Sequence, residues 1–417
     1  MSNWSLVELG EVAQVKGGKR LPKGMSLQEK NNGSPYLRIV DWLDGYFDTS
    51  KLMYVPDAAR AQISRYTVST GDVFISIAGT VGRISLIPAE LDGAFLTENA
   101  AKISVDSDLV LPQFLKFALS SPQGQEEISS LTVGSTQPKL ALQSIKSIRI
   151  PLPPLVEQRA IAEVLGALDD KIAANSKLVE TLTSTFSAHW KTLGSSPTAK
   201  NVTVESLLGE MIGGDWGTAE ATESSPNEVY CIRGADIADL QQAGLGKMPR
   251  RFLKTKSLER RQLEDGDLVV EMSGGSPTQS TGRTVLVTDE LLNRLDIPLT
   301  SSNFCRIVRP KDPMTSFYLY GLLQASWDRG EFFSFENGST GIKNLAFADY
   351  SSNKAVALPS LEALKQFNQL ARSLFKTMHS LGAESSFLAE TRDALLPQLI
   401  SGKMRVRDAE AVVEDVL

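Results

Sequence analysis

Between Pro151 and Leu193 the sequence carries one apolar seam long enough to constrain everything around it. Apolar side chains stand at Ile161, Leu165, Leu168, Ile172, Val179, Leu182 and Phe186, with Asn175 and His189 filling the two gaps. The steps alternate four and three, the repeat of a coiled-coil seam. Pro153 and Pro154 suit a first helical turn, where a missing N–H has no partner to lose. Glu157 then sits at the positive end of the helix dipole. Gly194, Ser195, Ser196 and Pro197 are stop signals. The predicted helix over 155–193 is about 58 Å long at ~1.5 Å per residue. Each seam residue gains on the order of 1.5–3 kcal/mol by leaving water, so the stripe must find a partner. A matching stripe lies within 358–406: Phe367, Leu370, Leu374, Met378, Leu381, Leu388, Leu395 and Leu399, with Ser385 and Arg392 as its polar positions. Pro397 is expected to kink or end this helix and Gly402 to cap it. Two such stripes predict an antiparallel helix pair acting as a spacer.

The stretches before the two helices repeat each other. Arg233 and Asp236 stand 195 positions after Arg38 and Asp41, and Gly266 stands 195 after Gly71. Gly282-Arg283 follows Gly82-Arg83 by 200 positions, so the second copy carries a five-residue insertion, containing Pro277, between paired strands. Gly338-Ser339-Thr340 with Lys343 parallels Gly134-Ser135-Thr136 with Lys139. Runs such as 72–78 and 267–272, each introduced by Gly-Asp, read as short antiparallel-style strands. They lack the βαβ alternation of a doubly wound sheet. The fold class is therefore α+β: two mostly-β domains with small helices, separated by two long antiparallel coiled-coil helices. The boundaries are 1–150, 151–196 for the central helix, 197–357, 358–406 for the C-terminal helix, and 407–417 as a polar tail. Duplication predicts pseudo-twofold symmetry, which suits duplex DNA as a ligand.

Composition excludes more than it selects. With 42% hydrophobic residues and a mean hydropathy of −0.10, the 417-residue chain reads as a water-soluble protein without a membrane span or signal peptide. Its two cysteines, Cys231 and Cys305, suit a reducing cytoplasm and form no metal-ligand spacing. The two histidines, His189 and His379, both fall on the long helices. No phosphate-binding GxxxxGK[ST] motif, HExxH motif or Ser/His/Asp set is present, which favours recognition over catalysis. The net charge of −6 does not announce a nucleic-acid binder. Contact with phosphate must come from local clusters.

Those clusters lie in loops. Lys16, Lys19, Arg20 and Lys23 surround Gly17-Gly18, where a backbone without Cβ can approach a ligand. Lys247, Arg250, Arg251, Lys254, Lys256, Arg260 and Arg261 stand against the single acid Glu259. Ser135, Thr136, Gln137 and Lys139, and Ser339, Thr340, Lys343 and Asn344, form polar loops; Gln137 and Asn344 suit adenine, lysine and arginine suit guanine. A plain turn explains these loops equally, and a solvated charged face explains the clusters. Arg38 with Asp41, and Arg233 with Asp236, are either DNA contacts or structural ion pairs. Arg83 and Arg283 divide evenly between phosphate contact and structure.

At this point the chain resembles the DNA-specificity subunit of type I restriction–modification systems. The resemblance rests on LPPLVEQRAIAEVLGALDDKI at 152–172, LLPQLISGKMRV at 395–406, the Gly-Asp strands, and Gly-Ser-Thr before Lys139 and Lys343. It covers essentially the whole chain. The second helix start, Ser360 to Gln366, departs from the Pro-Pro-Leu-x-Glu-Gln form at 153–158. The resemblance implies that each recognition domain reads one half of a bipartite, asymmetric DNA target, and that the helices set the half-site spacing. It implies docking of two methyltransferase subunits, with Glu157, Gln158, Arg159 and Gln366 as candidate docking residues. Those partners bring S-adenosylmethionine, restriction subunits bring ATP and Mg, and this chain supplies specificity without catalysis or a metal of its own. Rival readings are a DNA reader without such partners, a coiled-coil scaffold binding protein or glycan, and an enzyme with an unrecognised site.

Overall fold

The computed structural model describes residues 4–43, 45–193, 199–276, 278–338 and 342–417. They form two compact units, Met1–Lys171 with Leu388–Leu417, and Ile172–Phe387.

In the first unit a four-stranded antiparallel sheet has the order Ala13–Gly17, Ala100–Val105, Val73–Ser76, Ile84–Leu86. Val73–Ser76 is buried along its whole length because both faces of the sheet are covered. One face, through Val73, Ile75, Ile84 and Ile103, packs with Leu115 and Leu119 of the helix Pro112–Ser120. Phe74, pointing the other way as alternation along a strand requires, packs with Leu37, Phe47 and Leu91. A smaller sheet places Pro35–Leu37 between Met53–Tyr54, antiparallel, and Phe95–Leu96, parallel. Ser5–Glu8 pairs with Arg149–Leu152, the strand that leads into the first long helix.

The second unit repeats this strand for strand. Its four-stranded sheet has the order Leu208–Gly213, Cys305–Pro310, Leu268–Glu271, Thr284–Leu286. Asn227–Ile232 lies between Arg250–Leu253, antiparallel, and Leu299–Ser301, parallel. Lys200–Thr203 pairs with Ala355–Leu358. The same order, including one parallel pair among antiparallel neighbours, makes the internal duplication structural. One difference stands out. The first unit follows Asp41 with a hairpin, Trp42–Leu43 against Tyr46–Phe47, whereas the second follows Asp236 with the helix Ile237–Gln241. Pro277 of the insertion lies outside the described residues, as do Gly194 to Pro197 after the first helix.

The long helices run Leu155–Leu193 and Leu361–Ile400. In the second unit the Asn175 amide donates to Glu384 Oε2 at 2.8 Å and to Ser385 Oγ at 3.3 Å. Further along, the Phe186 ring meets Phe375, Phe367 and Tyr320 with centroids 5.4–5.6 Å apart. Advancing from Asn175 to Phe186 moves the contacts from Ser385 back to Phe367, so the helices are antiparallel. In the first unit Arg392 donates to Asp169 Oδ1 at 2.8 Å, and Lys116 to Asp169 Oδ2 at 2.5 Å.

Several details differ from the sequence reading. His189 is exposed; the neighbouring Trp190 is the residue that packs. Its ring lies where a Cβ on Gly321 would come within 2.4 Å, and its N–H donates to the Tyr318 carbonyl at 2.9 Å. Phe375, outside the predicted stripe, is buried, while Leu370, Leu374 and Leu381 are half-buried. The reason is that the helix packs on Phe317 and Tyr320 of the helix Ser316–Asp328 as well as on the first long helix. Pro397 does not end the second helix, which continues to Ile400; Gly402 then takes the left-handed conformation of a cap, φ 66°. The expected polar tail is instead a helix, Val406–Glu414, that buries Val406, Ala409 and Val413 at i, i+3 and i+7. Among the described residues no helix is long and apolar enough to cross a membrane.

Candidate nucleic-acid interface

The two polar elements singled out in the sequence of the first unit are brought together by backbone bonds. The Gly79 N–H donates to the Pro138 carbonyl at 3.3 Å and the Leu140 N–H to the Ile77 carbonyl at 2.9 Å. Ala78 and Lys139 form an antiparallel bridge. The loop carrying Ser135, Thr136, Gln137 and Lys139, all exposed, is thereby fastened to the hairpin that ends at Arg83. Arg83 lies over Trp42, its guanidinium carbon 4.4 Å from the ring centre. The indole is fixed in turn by its N–H bond to the Ile84 carbonyl at 3.1 Å.

The glycine-rich stretch before this sheet has a different role from the one expected. A Cβ on Gly18 would stand 2.0 Å from the Thr97 carbonyl oxygen, so the close approach is to the chain itself rather than to a ligand. Gly214 repeats this, 2.1 Å from the Ser302 carbonyl oxygen. Around Gly18, Lys16, Lys19 and Lys23 are exposed. Lys19 lies 5.8 Å from the Tyr66 ring centre. Arg20 is paired with Glu98 at 2.6 Å.

Arg38 and Arg233 are internal clamps. The Arg233 backbone N–H and Nε both donate to Asp236 Oδ2 at 2.9 Å, and Nη2 donates to Oδ1 at 2.8 Å. Arg38 holds Asp41 in the same three-bond manner. Both aspartates are buried, and each pair caps a short 3₁₀ turn. Burial alone would raise the Asp236 carboxyl, but the bonds from Arg233 hold it below the usual carboxylate range. The bond to Asp41 holds the Arg38 guanidinium above its ordinary value. These arginines therefore set the turn that carries Trp42 in one unit and the helix Ile237–Gln241 in the other.

In the second unit much of the predicted positive charge is neutralised internally. Arg283 donates to both oxygens of Glu271, at 2.9 and 2.6 Å. Lys343 pairs with Glu336 at 2.7 Å, and Asn344 accepts from Ser273 Oγ. Ser339 and Thr340 lie outside the described residues. Arg250 meets Glu228 at 3.3 Å and Asp296 at 3.0 Å. Arg251 stacks on Trp216 at 4.4 Å and donates to its carbonyl at 2.9 Å. Arg261 donates to the Gly213 carbonyl at 2.8 Å. Lys247, Lys254, Lys256 and Arg260 remain exposed, with no side-chain hydrogen bond or ion pair among the described residues. The functional residues missed in the sequence are the stacking platforms Trp42 and Trp216 and the neutralising Glu271. No spacing links them to their arginines.

Of the candidate docking residues, Arg159 and Gln366 are exposed and Glu157 is half-buried. Gln158 is not available to a partner. It is fully buried, accepting from the Leu111 N–H at 2.8 Å and donating to the Leu109 and Pro153 carbonyls at 2.9 Å. It fastens the helix start to the turn before the small helix Pro112–Ser120. No group of three or more His, Cys, Asp or Glu side chains that could hold a metal occurs among the described residues. Burial pushes the Cys231 and Cys305 thiols up to about 12. As thiols rather than thiolates, they are poor nucleophiles.

The exposed polar and cationic loops are thus carried on two α+β units of one strand order. Residues 1–184 match the family model described as the type I restriction modification DNA specificity domain. The HindI type I restriction enzyme specificity subunit of Haemophilus influenzae is 22% identical over 97% of this chain and 100% of its own. The MjaIX specificity subunit of Methanocaldococcus jannaschii is 20% identical over 97% of this chain and 94% of its own. In fold, the chain is similar to the type I restriction–modification S subunit from M. genitalium, with a TM-score of 0.53 and 16% identity over 95% of this chain and 96% of that one. Residues 1–184 thus match the type I restriction modification DNA specificity domain, and the chain over nearly its whole length is similar to type I restriction enzyme specificity subunits.

Proposed function

We propose that each unit reads one half of a bipartite DNA target, and that the two half-sites differ. The observation that carries this reading is one strand order built twice with unlike loops. The first unit offers Lys16, Lys19, Lys23, Arg83, Lys139 and the hydroxyls of Ser135 and Thr136, with Gln137 suited to adenine. The second offers Lys247 and Lys254, with Asn344 as its amide reader. Identical readers would ask for a palindrome; these do not.

The long helices set the gap between half-sites in this proposal, the first being 39 residues and so about 58 Å long, against roughly 34–36 Å for one DNA turn. Their starts, through Glu157, Arg159 and Gln366, dock methyltransferase subunits, two in all. Those subunits bring S-adenosylmethionine and flip the target adenine out of the stack. Restriction subunits, where present, bring ATP and Mg. The chain performs no catalysis of its own and works in the cytoplasm.

Methylome sequencing of cells carrying this chain with its methyltransferase partner tests the reading. A split, non-palindromic adenine-methylation motif is expected, and replacing residues 1–150 by another such domain should change one half only. If both halves change together, the division of labour is wrong.

A further inference from the structure

The duplication supplies an internal control for every loop arginine, and one pair fails to match. Ser76 and Glu271 occupy equivalent positions. The Ser76 N–H donates to the Arg83 carbonyl at 3.0 Å and the Gly82 N–H to the Ser76 carbonyl at 3.0 Å. The Glu271 N–H donates to the Arg283 carbonyl at 2.9 Å and the Gly282 N–H to the Glu271 carbonyl at 3.0 Å. The two hairpins thus close with the same backbone pairing, although the second carries five extra residues, and the side chain at this paired position is exchanged. In the second, the Glu271 carboxylate takes up the arginine. In the first, Ser76 is too short to do so and turns its hydroxyl to the Thr80 carbonyl at 2.6 Å.

A second position is exchanged with it. Glu271 needs room, and Gly234 provides it: a Cβ there would stand 2.5 Å from Glu271 Oε1. The equivalent residue in the first unit, 195 positions earlier, is Ile39. The first unit thus has no glycine at the position that makes room for Glu271 in the second. Ile39 with Ser76, and Gly234 with Glu271, are therefore two self-consistent solutions, one leaving the arginine open and one closing it. The open arginine is nevertheless held in place. It lies on Trp42 at 4.4 Å, and its Nε is buried without a hydrogen-bond partner among the described residues. It makes no ion pair among the described residues. A guanidinium placed by stacking, with no ionic partner among the described residues, can offer its terminal N–H groups to an anion. The loop fastened to the same hairpin adds Lys139 and the Ser135 and Thr136 hydroxyls, donors of the kind that phosphate oxygens accept.

We propose that Arg83 is a DNA-phosphate contact of the first unit, held open by Ser76 and Trp42, and that the equivalent Arg283 is closed by Glu271, so that the two units hold the duplex with different groups. This rests on the DNA-reading role proposed above and deepens it, because it assigns the phosphate contact to one copy of a duplicated hairpin and denies it to the other.

The test uses the full chain and a 40-base-pair duplex of mixed sequence, with affinity measured from 50 to 200 mM salt. One lost phosphate contact flattens the slope of log affinity against log salt by about 0.9, equivalent to roughly eightfold weaker binding at 0.1 M. Arg83→Ala should show both changes with unaltered hydrogen exchange at the strands Val73–Ser76 and Ile84–Leu86. Arg83→Lys, which keeps the charge, should retain the wild-type slope. Arg283→Ala should keep the slope even though it loses stability. Wild-type slope and affinity in Arg83→Ala would overturn the assignment, as would equal loss of slope in Arg283→Ala, or loss of slope in Arg83→Lys. If the wild-type chain itself does not bind the duplex at 50 mM salt, the DNA-reading role fails and this assignment with it; wild-type binding together with an unaffected Arg83→Ala sinks the assignment alone.

Discussion

Removing Arg283 leaves Glu271 with nowhere to put its charge. The carboxylate side chain is 3% exposed and takes two guanidinium bonds in the room that Gly234, lacking a Cβ, leaves for it. Breaking a buried pair from one side costs about 3–5 kcal/mol, because the remaining ion is desolvated and unmatched, whereas replacing both partners by apolar groups of similar volume is often neutral. Arg283→Met should therefore destabilise the second unit by about 3–5 kcal/mol. Arg283→Met with Glu271→Leu should recover most of that, giving a coupling of at least ~2 kcal/mol in a double-mutant cycle. A chain of two units is not expected to unfold in one step, so a global melt would blur the effect. Hydrogen exchange in urea, read at the strands Leu268–Glu271 and Thr284–Leu286, isolates it. A cost under about 1 kcal/mol for Arg283→Met, or a double variant as unstable as the two single costs added, would refute the reasoning, and with it the view that this arginine is bound to its own fold.

Phe186→Ala should cost about 3–5 kcal/mol through loss of its contacts with Phe367, Phe375 and Tyr320, seen as faster exchange in the helix Ser316–Asp328. Burial, with Arg294 adding to it, pushes the His379 imidazole down to about 4. Because the unfolded chain binds that proton near pH 6.5 and the folded chain does not, stability should be full above that pH and fall by up to ~3 kcal/mol as pH drops toward 4. His379→Leu should flatten the denaturant-midpoint profile over this window. Gly18→Ala should destabilise the first unit by several kcal/mol, on the order of other severe backbone clashes, because its Cβ would meet the Thr97 carbonyl oxygen at 2.0 Å; wild-type hydrogen exchange in urea at the strands Ala13–Gly17 and Ala100–Val105 would count against that packing.

The sequence by itself determined the large features: two long helices, α+β units built twice, and the equivalence of Arg38 with Arg233 and of Arg83 with Arg283. These were legible because heptad spacing and repeated Gly-Asp and Gly-Ser-Thr runs are local patterns, set by periodicity along one stretch of chain. The tertiary structure alone decided what each polar residue is for. Gly18 and Gly214 proved to serve the chain's own carbonyls, Gln158 proved to be a buried fastener, and Val406–Glu414 folded where a tail was expected. Most of all, Arg83 and Arg283 look alike in sequence, yet one lies open on Trp42 and the other is bound by Glu271. Whether a charge is available depends on which side chains distant in sequence arrive beside it. Burial and pairing are properties of three-dimensional neighbours, and spacing along the chain does not encode them.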